Sequence, residues 1–341
     1  MHVAINGFGR IGRCFLRSAW HDPDIEIVAV NDLGDIKNLA YLLKYDSVYG
    51  QFAGQVDVQD GALVIGAKRI QFICEKDPAK LPWKDLGIDV VVESTGVFTD
   101  FEKAQVHLAA GAKRVVISAP AHGEHDVGEH PQGATVLMGI NENRLSLCPI
   151  TSNASCTTNA ASPVIQILHE ALGVELALLN TTHSYTASQH IVDSPSAKDF
   201  REGRAGAHNM IPSSTGAAIA VTKAIPALAD KFDGIAVRVP TIAGSIADVT
   251  FIAARPTTVD EVNSLLEAAA ASERWRGIFK TSRDPLVSSD IIGEPYGSIA
   301  DLALTRVVGG KLVKVMAWYD NEMGYTSTLL RHVKAAGAHF Q

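Results

Sequence analysis

Val3-Ala4-Ile5-Asn6-Gly7-Phe8-Gly9-Arg10-Ile11-Gly12-Arg13 decides how the first half of the chain folds. The apolar run 3–6 reads as a short strand that breaks at Gly7. Ile11, Phe15, Leu16 and Ala19 then recur at helical spacing through Trp20. Between strand and helix stands GxGxxG, a spacing that a chain with 28 glycines can produce by chance. The context gives it weight: a strand before, a helix after, and an acid, Asp32, twenty residues beyond Gly12. In such a unit Gly7 permits the tight turn, Gly9 lets backbone approach a pyrophosphate, and Gly12 lets helix pack on strand. The helix N-terminus then presents N–H donors and a positive dipole end to the phosphates. Asp32 is expected to accept from the adenosine ribose hydroxyls and to repel a 2′-phosphate, which favours NAD over NADP.

Outward from this stretch the alternation continues. Residues 25–30 form a second β-rich run, 36–44 a helical stretch, and 90–93 and 115–118 further apolar runs around a helix at 103–110. Strand, helix, strand spacing predicts parallel βαβ units. Residues 56–64 alternate about Asp60-Gly61, a hairpin signal, so an antiparallel insertion is expected beside the parallel sheet. After residue 155 the character changes. A helix near 158–172 stops at Gly173, and 176–182, 235–240, 247–254 and 312–318 look like strands of an antiparallel or mixed sheet. Helices are expected at 259–271 and 322–338, and 186–216, polar and rich in Ser, Gly and Ala, reads as a long structureless loop with a function or a partner surface. The expected fold is therefore α/β and α+β: a Rossmann-type parallel sheet over 1–155, and a second domain on a mainly antiparallel or mixed sheet over 156–321.

Composition narrows the function classes. With 341 residues, 47% hydrophobic and 20% charged, the chain can bury two cores, and 6% aromatic content means those cores are largely aliphatic. A net charge of -7 without a Lys/Arg stripe argues against nucleic acid as the primary partner. Cys14, Cys74, Cys148 and Cys156 show no CxxC spacing, so neither a zinc site nor a disulfide framework is expected, and a reducing cytoplasm is. The first ten residues lack the basic and apolar regions of a signal peptide, and no apolar run approaches the ~20 residues of a membrane span. His122, His125 and His130 lie among acids and glycines without HExxH, which reads as a solvated loop rather than a metal site.

Ser152-Asn153-Ala154-Ser155-Cys156-Thr157-Thr158-Asn159 is dense in hydroxyls and amides just ahead of a helical pattern. A cysteine at a helix N-terminus has its thiolate favoured, and flanking N–H and hydroxyl groups suit a phosphate or an oxyanion. Ser162-Pro163 is an alternative cap that starts the helix later. Cys14, Cys74 and Cys148 read as small hydrophobes. Cys156 reads as a nucleophile that needs a base, and among 12 histidines composition cannot choose one.

Ser155-Cys156-Thr157-Thr158-Asn159 resembles the active-site signature of the phosphorylating glyceraldehyde-3-phosphate dehydrogenases. So do Ala4-Ile5-Asn6-Gly7-Phe8-Gly9-Arg10-Ile11-Gly12-Arg13, Thr181-Thr182-His183-Ser184-Tyr185-Thr186, Ser214-Thr215-Gly216-Ala217-Ala218, Arg238-Val239-Pro240-Thr241 and Trp318-Tyr319-Asp320-Asn321-Glu322. The segments fall in family order and cover nearly the whole chain. The resemblance implies His183 as the base beside Cys156. It implies NAD contacts from Gly7, Gly9, Arg10, Ile11, Gly12, Asp32, Lys76, Thr95, Gly96, Ser118 and Asn321, the last holding the carboxamide. It places Thr186, Arg238 and Arg201 around the substrate phosphate, and Ser155, Thr157, Thr215 and Gly216 around inorganic phosphate. It also implies a homotetramer through the segment 183–208, and a C-terminal helix, 322–341, that completes the first domain.

The implied reaction converts glyceraldehyde 3-phosphate, phosphate and NAD to an acyl phosphate through a hemithioacetal and a thioester on Cys156. Several positions depart from the family pattern: Lys76 stands in place of Arg, Ser188 in place of Asp, Ala160 in place of a second cysteine, and Ser194 in place of a larger apolar residue. Leu33 and Pro195 resemble the NAD-preferring members. The alternatives are erythrose-4-phosphate dehydrogenase, whose members tend to lose the Ser-Tyr-Thr and Ser-Thr-Gly motifs kept here, and a non-catalytic nucleotide- or RNA-binding protein.

Overall fold

The computed structural model describes residues 1–123, 133–197 and 199–340. Its contacts divide the chain into two compact units, one of 1–136, 142–154 and 329 onward, the other of 137–141 and 155–328.

The first unit runs β1 (His2–Asn6), α1 (Arg10–Ala19), β2 (Glu26–Asn31), α2 (Ile36–Lys44), a two-residue ribbon β3 (Tyr45–Asp46) and β4 (Gly50–Gln51), β5 (Val56–Gln59), β6 (Ala62–Ile65), β7 (Lys68–Ile73), β8 (Val90–Glu93), α3 (Phe101–Ala109), β9 (Arg114–Ile117), β10 (Gly133–Thr135) and β11 (Ile150–Ser152). One sheet orders them β10-β11-β9-β8-β1-β2-β7-β6-β5. Pairing is parallel from β10 to β7; β6 then pairs antiparallel with β7, and β5 with β6 through the turn at Asp60-Gly61, where both residues have positive φ. Val3, Ala4, Ile5, Val90, Val91, Val92, Val115, Val116 and Ile117 are fully buried, as strands covered on both faces require. Register sets Asn6 beside both Asn31 and Glu93, so three adjacent strands end in polar side chains at one edge. That edge is where α/β sheets take ligands.

The second unit runs α4 (Cys156–Leu172), β12 (Val174–Ser184), β13 (Ile211–Ser214), α5 (Ala217–Ala224), β14 (Phe232–Val239), β15 (Ser245–Ala253), α6 (Val259–Ala270), β16 (Phe279–Ser282), β17 (Ser298–Val308) and β18 (Leu312–Tyr319). The sheet order is β13-β14-β12-β15-β18-β17-β16, with β12/β14 and β16/β17 parallel and the other pairs antiparallel. Helices α4, α5 and α6 pack on it, and alternate residues of β15 (Ala247, Val249, Phe251) are buried. Leu176, Leu178, Ile235 and Leu312 are exposed.

The last helix, α7 (Met323–Gly337), begins in the second unit and from Leu329 belongs to the first. There His332, fully buried, meets Thr151 Oγ1 at 2.7 Å and Asn153 Oδ1 at 3.2 Å, and Lys334 donates to Asp22 at 2.8 Å.

Two readings change. The segment 186–216 is not structureless: Asp199 caps a 3-10 turn at Phe200–Gly203, and β13 forms the sheet edge, the one kind of strand that accepts a proline such as Pro212. Of the two possible starts for α4, Ser155 is the cap: its Oγ accepts from Thr158 N at 3.1 Å, and Pro163 lies well inside the helix. Among the described residues no three His, Cys, Asp or Glu side chains converge as a metal site, and no helix is long and apolar enough to cross a membrane. His125 and His130 lie outside the described residues, while His122 bridges to Asp100 through backbone.

Candidate active site

In the first unit the glycine turn follows from steric need. Gly7 has φ +95, and a Cβ there would stand 2.6 Å from Ser94 C and Thr95 N. A Cβ on Gly12 would stand 2.2 Å from Gly7 O. Gly9 differs: a Cβ would meet nothing within 4 Å, and Gly9 precedes α1 without a side-chain cap. An open approach in front of uncapped helix N–H groups suits a phosphate. Arg10 and Ile11 form the first turn of α1, with Arg10 donating to Asp46 at 2.7 Å. Asp32 accepts from Phe8 N at 2.6 Å and Gly34 N at 2.8 Å, and its carboxylate has acceptor capacity beyond these two. Lys76 is exposed, Gly96 has φ +75, and Ser118 N donates to Glu93 O at 2.9 Å.

Behind this edge runs a buried polar chain that the sequence reading did not anticipate. Glu93 Oε1 accepts from Thr95 N at 2.8 Å and Thr95 Oγ1 at 2.5 Å. Glu93 Oε2 accepts from Asn6 Nδ2 at 2.6 Å and meets His107 Nε2 at 3.1 Å. Trp83 Nε1 donates to His107 Nδ1 at 3.1 Å, so in the neutral ring the proton sits on Nε2 and points at Glu93. Asn31 Nδ2 donates to Asn6 Oδ1 at 2.7 Å, and Asn31 is itself pinned by both backbone groups of Glu75 at 3.0 Å. Glu93 thus takes four donors and fixes Thr95.

In the second unit, α4 sets Cys156 at its first position, and Cys156 Sγ lies 3.4 Å from His183 Nε2 near the end of β12. Parallel register places Arg238 of β14 beside His183, and Arg238 Nη1 is 2.6 Å from His183 Nδ1. His183 Nδ1 is also 2.7 Å from Ser184 O. The Tyr319 ring stands edge-on to His183, centroids 5.9 Å apart. Thr181 Oγ1 donates to Ile246 O at 3.2 Å, so it accepts from Tyr319 at 2.7 Å, and Tyr319 in turn accepts from Thr157 Oγ1 at 2.8 Å. Tyr319 lies in the segment 318–322, far in sequence from both threonines, so only long-range packing reveals this contact.

The electrostatics favour a neutral pair. Burial pushes the Cys156 thiol up, opposed by the Arg238 charge and the Thr157 hydroxyl. Burial, and then Arg238, hold His183 down at about 3, with the bond to Ser184 acting the other way. Burial and the neighbouring Cys156 raise the Tyr319 phenol. A thiol beside a neutral imidazole is the expected resting state, with proton transfer coupled to attack.

The remaining positions fall nearby or apart. Ser155 caps α4, and Thr158 Oγ1 reaches Ala217 O at 3.4 Å, tying that cap to the start of α5, where Thr215 Oγ1 accepts from Ala217 N at 3.2 Å and Gly216 is the N-cap. Asn321 Oδ1 accepts from Ser245 Oγ at 3.1 Å, and the same Oγ accepts from Ser184 N. Thr186 Oγ1 bonds Ser188 Oγ at 2.9 Å. Arg201 is not joined to the cysteine pair: it is exposed and gives its hydrogen bonds to Asp199.

Comparison with known proteins meets this geometry. The family model for the glyceraldehyde 3-phosphate dehydrogenase NAD binding domain matches residues 1–101, and that for the C-terminal domain matches 155–321. The chain is 50% identical over 331 residues to the glyceraldehyde-3-phosphate dehydrogenase of Thermotoga maritima, covering 96% of each. It is 48% identical over 326 residues to that of Geobacillus stearothermophilus, covering 95% of this chain and 94% of the other. It is 46% identical over 334 residues to that of Clostridium acetobutylicum, covering 96% of each. With both halves matched and the identity spread over nearly its full length, the chain belongs to the glyceraldehyde-3-phosphate dehydrogenase family.

Proposed function

We propose that this chain oxidises D-glyceraldehyde 3-phosphate to 1,3-bisphosphoglycerate with NAD and inorganic phosphate, as a cytoplasmic enzyme of glycolysis and gluconeogenesis. The observation that carries the reading is the 3.4 Å approach of Cys156 Sγ to His183 Nε2 within a chain of this family. Cys156 attacks the aldehyde carbon as its proton passes to His183, and His183 returns that proton to the carbonyl oxygen, giving a hemithioacetal. His183 then takes the hydroxyl proton as the carbon is oxidised to the thioester, with NAD supplying the hydride acceptor. Inorganic phosphate attacks the thioester carbon, the C–S bond breaks, and Cys156 leaves as thiolate with the acyl phosphate released.

Gly7, Gly9, Arg10, Ile11, Gly12, Asp32, Lys76, Thr95, Gly96, Ser118 and Asn321 hold NAD in this reading. The open space over Gly9 and the uncapped start of α1 support the pyrophosphate placement. Arg238, Thr186 and Arg201 take the substrate phosphate, Arg201 only after leaving Asp199. Ser155, Thr157, Thr215 and Gly216 take inorganic phosphate. The first unit serves as the NAD-binding domain and the second as the catalytic and tetramerisation domain. A homotetramer is supported by the apolar surface of Leu176, Leu178, Ile235 and Leu312, and by Ile191 and Phe200, each 88% exposed in the single chain.

The test follows NADH formation with glyceraldehyde 3-phosphate, with and without inorganic phosphate, with parallel arms of erythrose 4-phosphate, NADP and Cys156→Ser. Turnover that requires phosphate and Cys156 is expected. Turnover indifferent to phosphate, or faster with erythrose 4-phosphate, overturns the assignment of two phosphate pockets.

A further inference from the structure

Ser245 stands between two buried neighbours with one proton to give. Its Oγ accepts from Ser184 N at 3.1 Å and donates to Asn321 Oδ1 at 3.1 Å, and its side chain has no other partner among the described residues. If the Asn321 amide turned over, its NH2 would face an oxygen that already accepts from Ser184 N. The Ser245 proton and the Asn321 carbonyl would then both lose their partners. Ser245 and Ser184 are buried, which makes that loss costly, so the amide is held with Oδ1 inward and Nδ2 outward. Nδ2 finds no partner among the described residues, although Asn321 is only 6% exposed. A buried NH2 kept in one direction and left unused suits an acceptor brought by a ligand.

Both ends of this contact are fixed independently. Gly244 has φ +85, a Cβ there would stand 2.2 Å from Ser288 O, and its carbonyl accepts from Ser184 Oγ at 3.1 Å. Ser245 then opens β15 opposite Tyr319, the last residue of β18. Asp320, fully buried, accepts from Glu322 N and Met323 N at 2.9 Å and from Gly293 N at 2.8 Å, which fixes the backbone of the turn that carries Asn321. Among the described residues Ser245 is the one side chain that orients the Asn321 amide, and removing its hydroxyl frees the amide without moving the turn.

We propose that Ser245 is a positioning residue for the nicotinamide cofactor. It holds the Asn321 NH2 toward the carboxamide, so the cofactor is taken by its carbonyl oxygen and not by its amide N–H. The inference rests on reading Asn321 as the carboxamide contact. Its consequence is a rule of specificity: the substituent on the pyridine ring must offer an acceptor, and need not offer a donor.

The experiment titrates the full-length protein with NAD and with ADP-ribose, which lacks the nicotinamide ring. The unmodified protein is compared with Ser245→Ala, Asn321→Ala and the double variant. Ser245→Ala is expected to weaken NAD about fivefold, through the ordering of a freed side chain on binding. Asn321→Ala is expected to weaken it about tenfold. The double variant should be no weaker than Asn321→Ala, because Ser245 acts through Asn321. ADP-ribose should bind all four alike. Additive losses of NAD affinity, or ADP-ribose weakened in step with NAD, would mean that Ser245 only supports the fold, and overturn the inference. Ser245→Ala also leaves Ser184 N without its acceptor, so its melting temperature should fall, and that fall should persist in the double variant while the affinity drops no further. The unmodified protein supplies a second readout free of variants. The acetylpyridine analogue of NAD keeps the carbonyl and lacks the amide N–H, whereas the thionicotinamide analogue keeps the N–H and replaces the oxygen with sulfur, a weaker acceptor. The acetylpyridine analogue should bind more tightly, and the reverse order overturns the inference. Unchanged NAD affinity in Asn321→Ala would overturn both the carboxamide reading and the inference built on it. Unchanged affinity in Ser245→Ala beside a weakened Asn321→Ala overturns the inference alone.

Discussion

Glu93→Gln changes one atom and removes a buried charge, and the surrounding bonds forecast its effect. The carboxylate takes two donors on each oxygen, whereas the amide keeps one oxygen and presents an NH2 to the other pair. If the NH2 faces Asn6 and His107, two donors are left against a donor. Asn6 cannot turn over to compensate, because its Oδ1 receives Asn31, and Asn31 is held on both sides by the backbone of Glu75. His107 cannot change tautomer without setting an N–H against Trp83 Nε1. If the NH2 faces Thr95 instead, a backbone N–H is orphaned.

Each buried donor left without a partner costs about 1–3 kcal/mol. Relief from burying a charge offsets part of two such losses, and the net is about 3 kcal/mol. For a unit of this size that lowers the melting temperature by about 6–12 °C. Urea unfolding with Trp83 fluorescence measures it, and a titration with NAD should show weakened binding because Thr95 loses its anchor. A Glu93→Gln protein as stable as its parent would mean that one member of the chain does turn over, and the reasoning from pinned orientations would fail.

Three further outcomes are expected. Gly12→Ala should lower both stability and NAD affinity, since its Cβ would stand 2.2 Å from Gly7 O, whereas Gly9→Ala, facing open space, should melt within about 0.5 kcal/mol of the parent yet bind NAD more weakly; equal melts for the two would refute the steric argument. His183 and His332 are both held at about 3 in the folded chain against 6.5 when free, so the unfolded state binds more protons below 6.5. Stability present above that pH should therefore fall by about 1.4 kcal/mol per pH unit per histidine as pH drops toward 3; melting temperatures that stay level from about pH 7 to 5 would contradict it. Tyr319→Phe leaves the buried Thr157 hydroxyl without its phenol acceptor, at about 1–2 kcal/mol, and adding Thr157→Val should recover most of that in urea melts; strictly additive losses would show that the two hydroxyls are not coupled.

What the sequence made legible follows physical period. Strands β1, β8 and β9 are apolar runs because both faces are covered, and the Asp60-Gly61 turn announces its hairpin because its backbone needs positive φ. The start of α4 was ambiguous because Ser155 and Ser162-Pro163 both carry cap signals, and only packing decides between them. Strand β13 escaped notice because Pro212 speaks against a strand except at an edge, and edge position is a property of the assembled sheet. Cys156 was visible through its polar neighbours, but the choice of His183 among the histidines came from family resemblance. Arg238 beside His183, Tyr319 between two threonines, and Glu93 beneath Thr95 depend on register between segments far apart in the chain, which local spacing does not encode.

Helix α7 carries a consequence for the order in which the chain is made. Its second half supplies His332 to Thr151 and Asn153 and Lys334 to Asp22, so the unit begun by the first residues is sealed by nearly the last. On the ribosome, where synthesis runs at about 5–20 residues per second, the nine-stranded sheet emerges early and then waits for its final helix. During that interval Thr151, Asn153 and Asp22 lack the bonds that His332 and Lys334 will bring. A chain cut short by a single turn of α7 beyond Leu329 would leave translation with every strand in place and its oldest part still open.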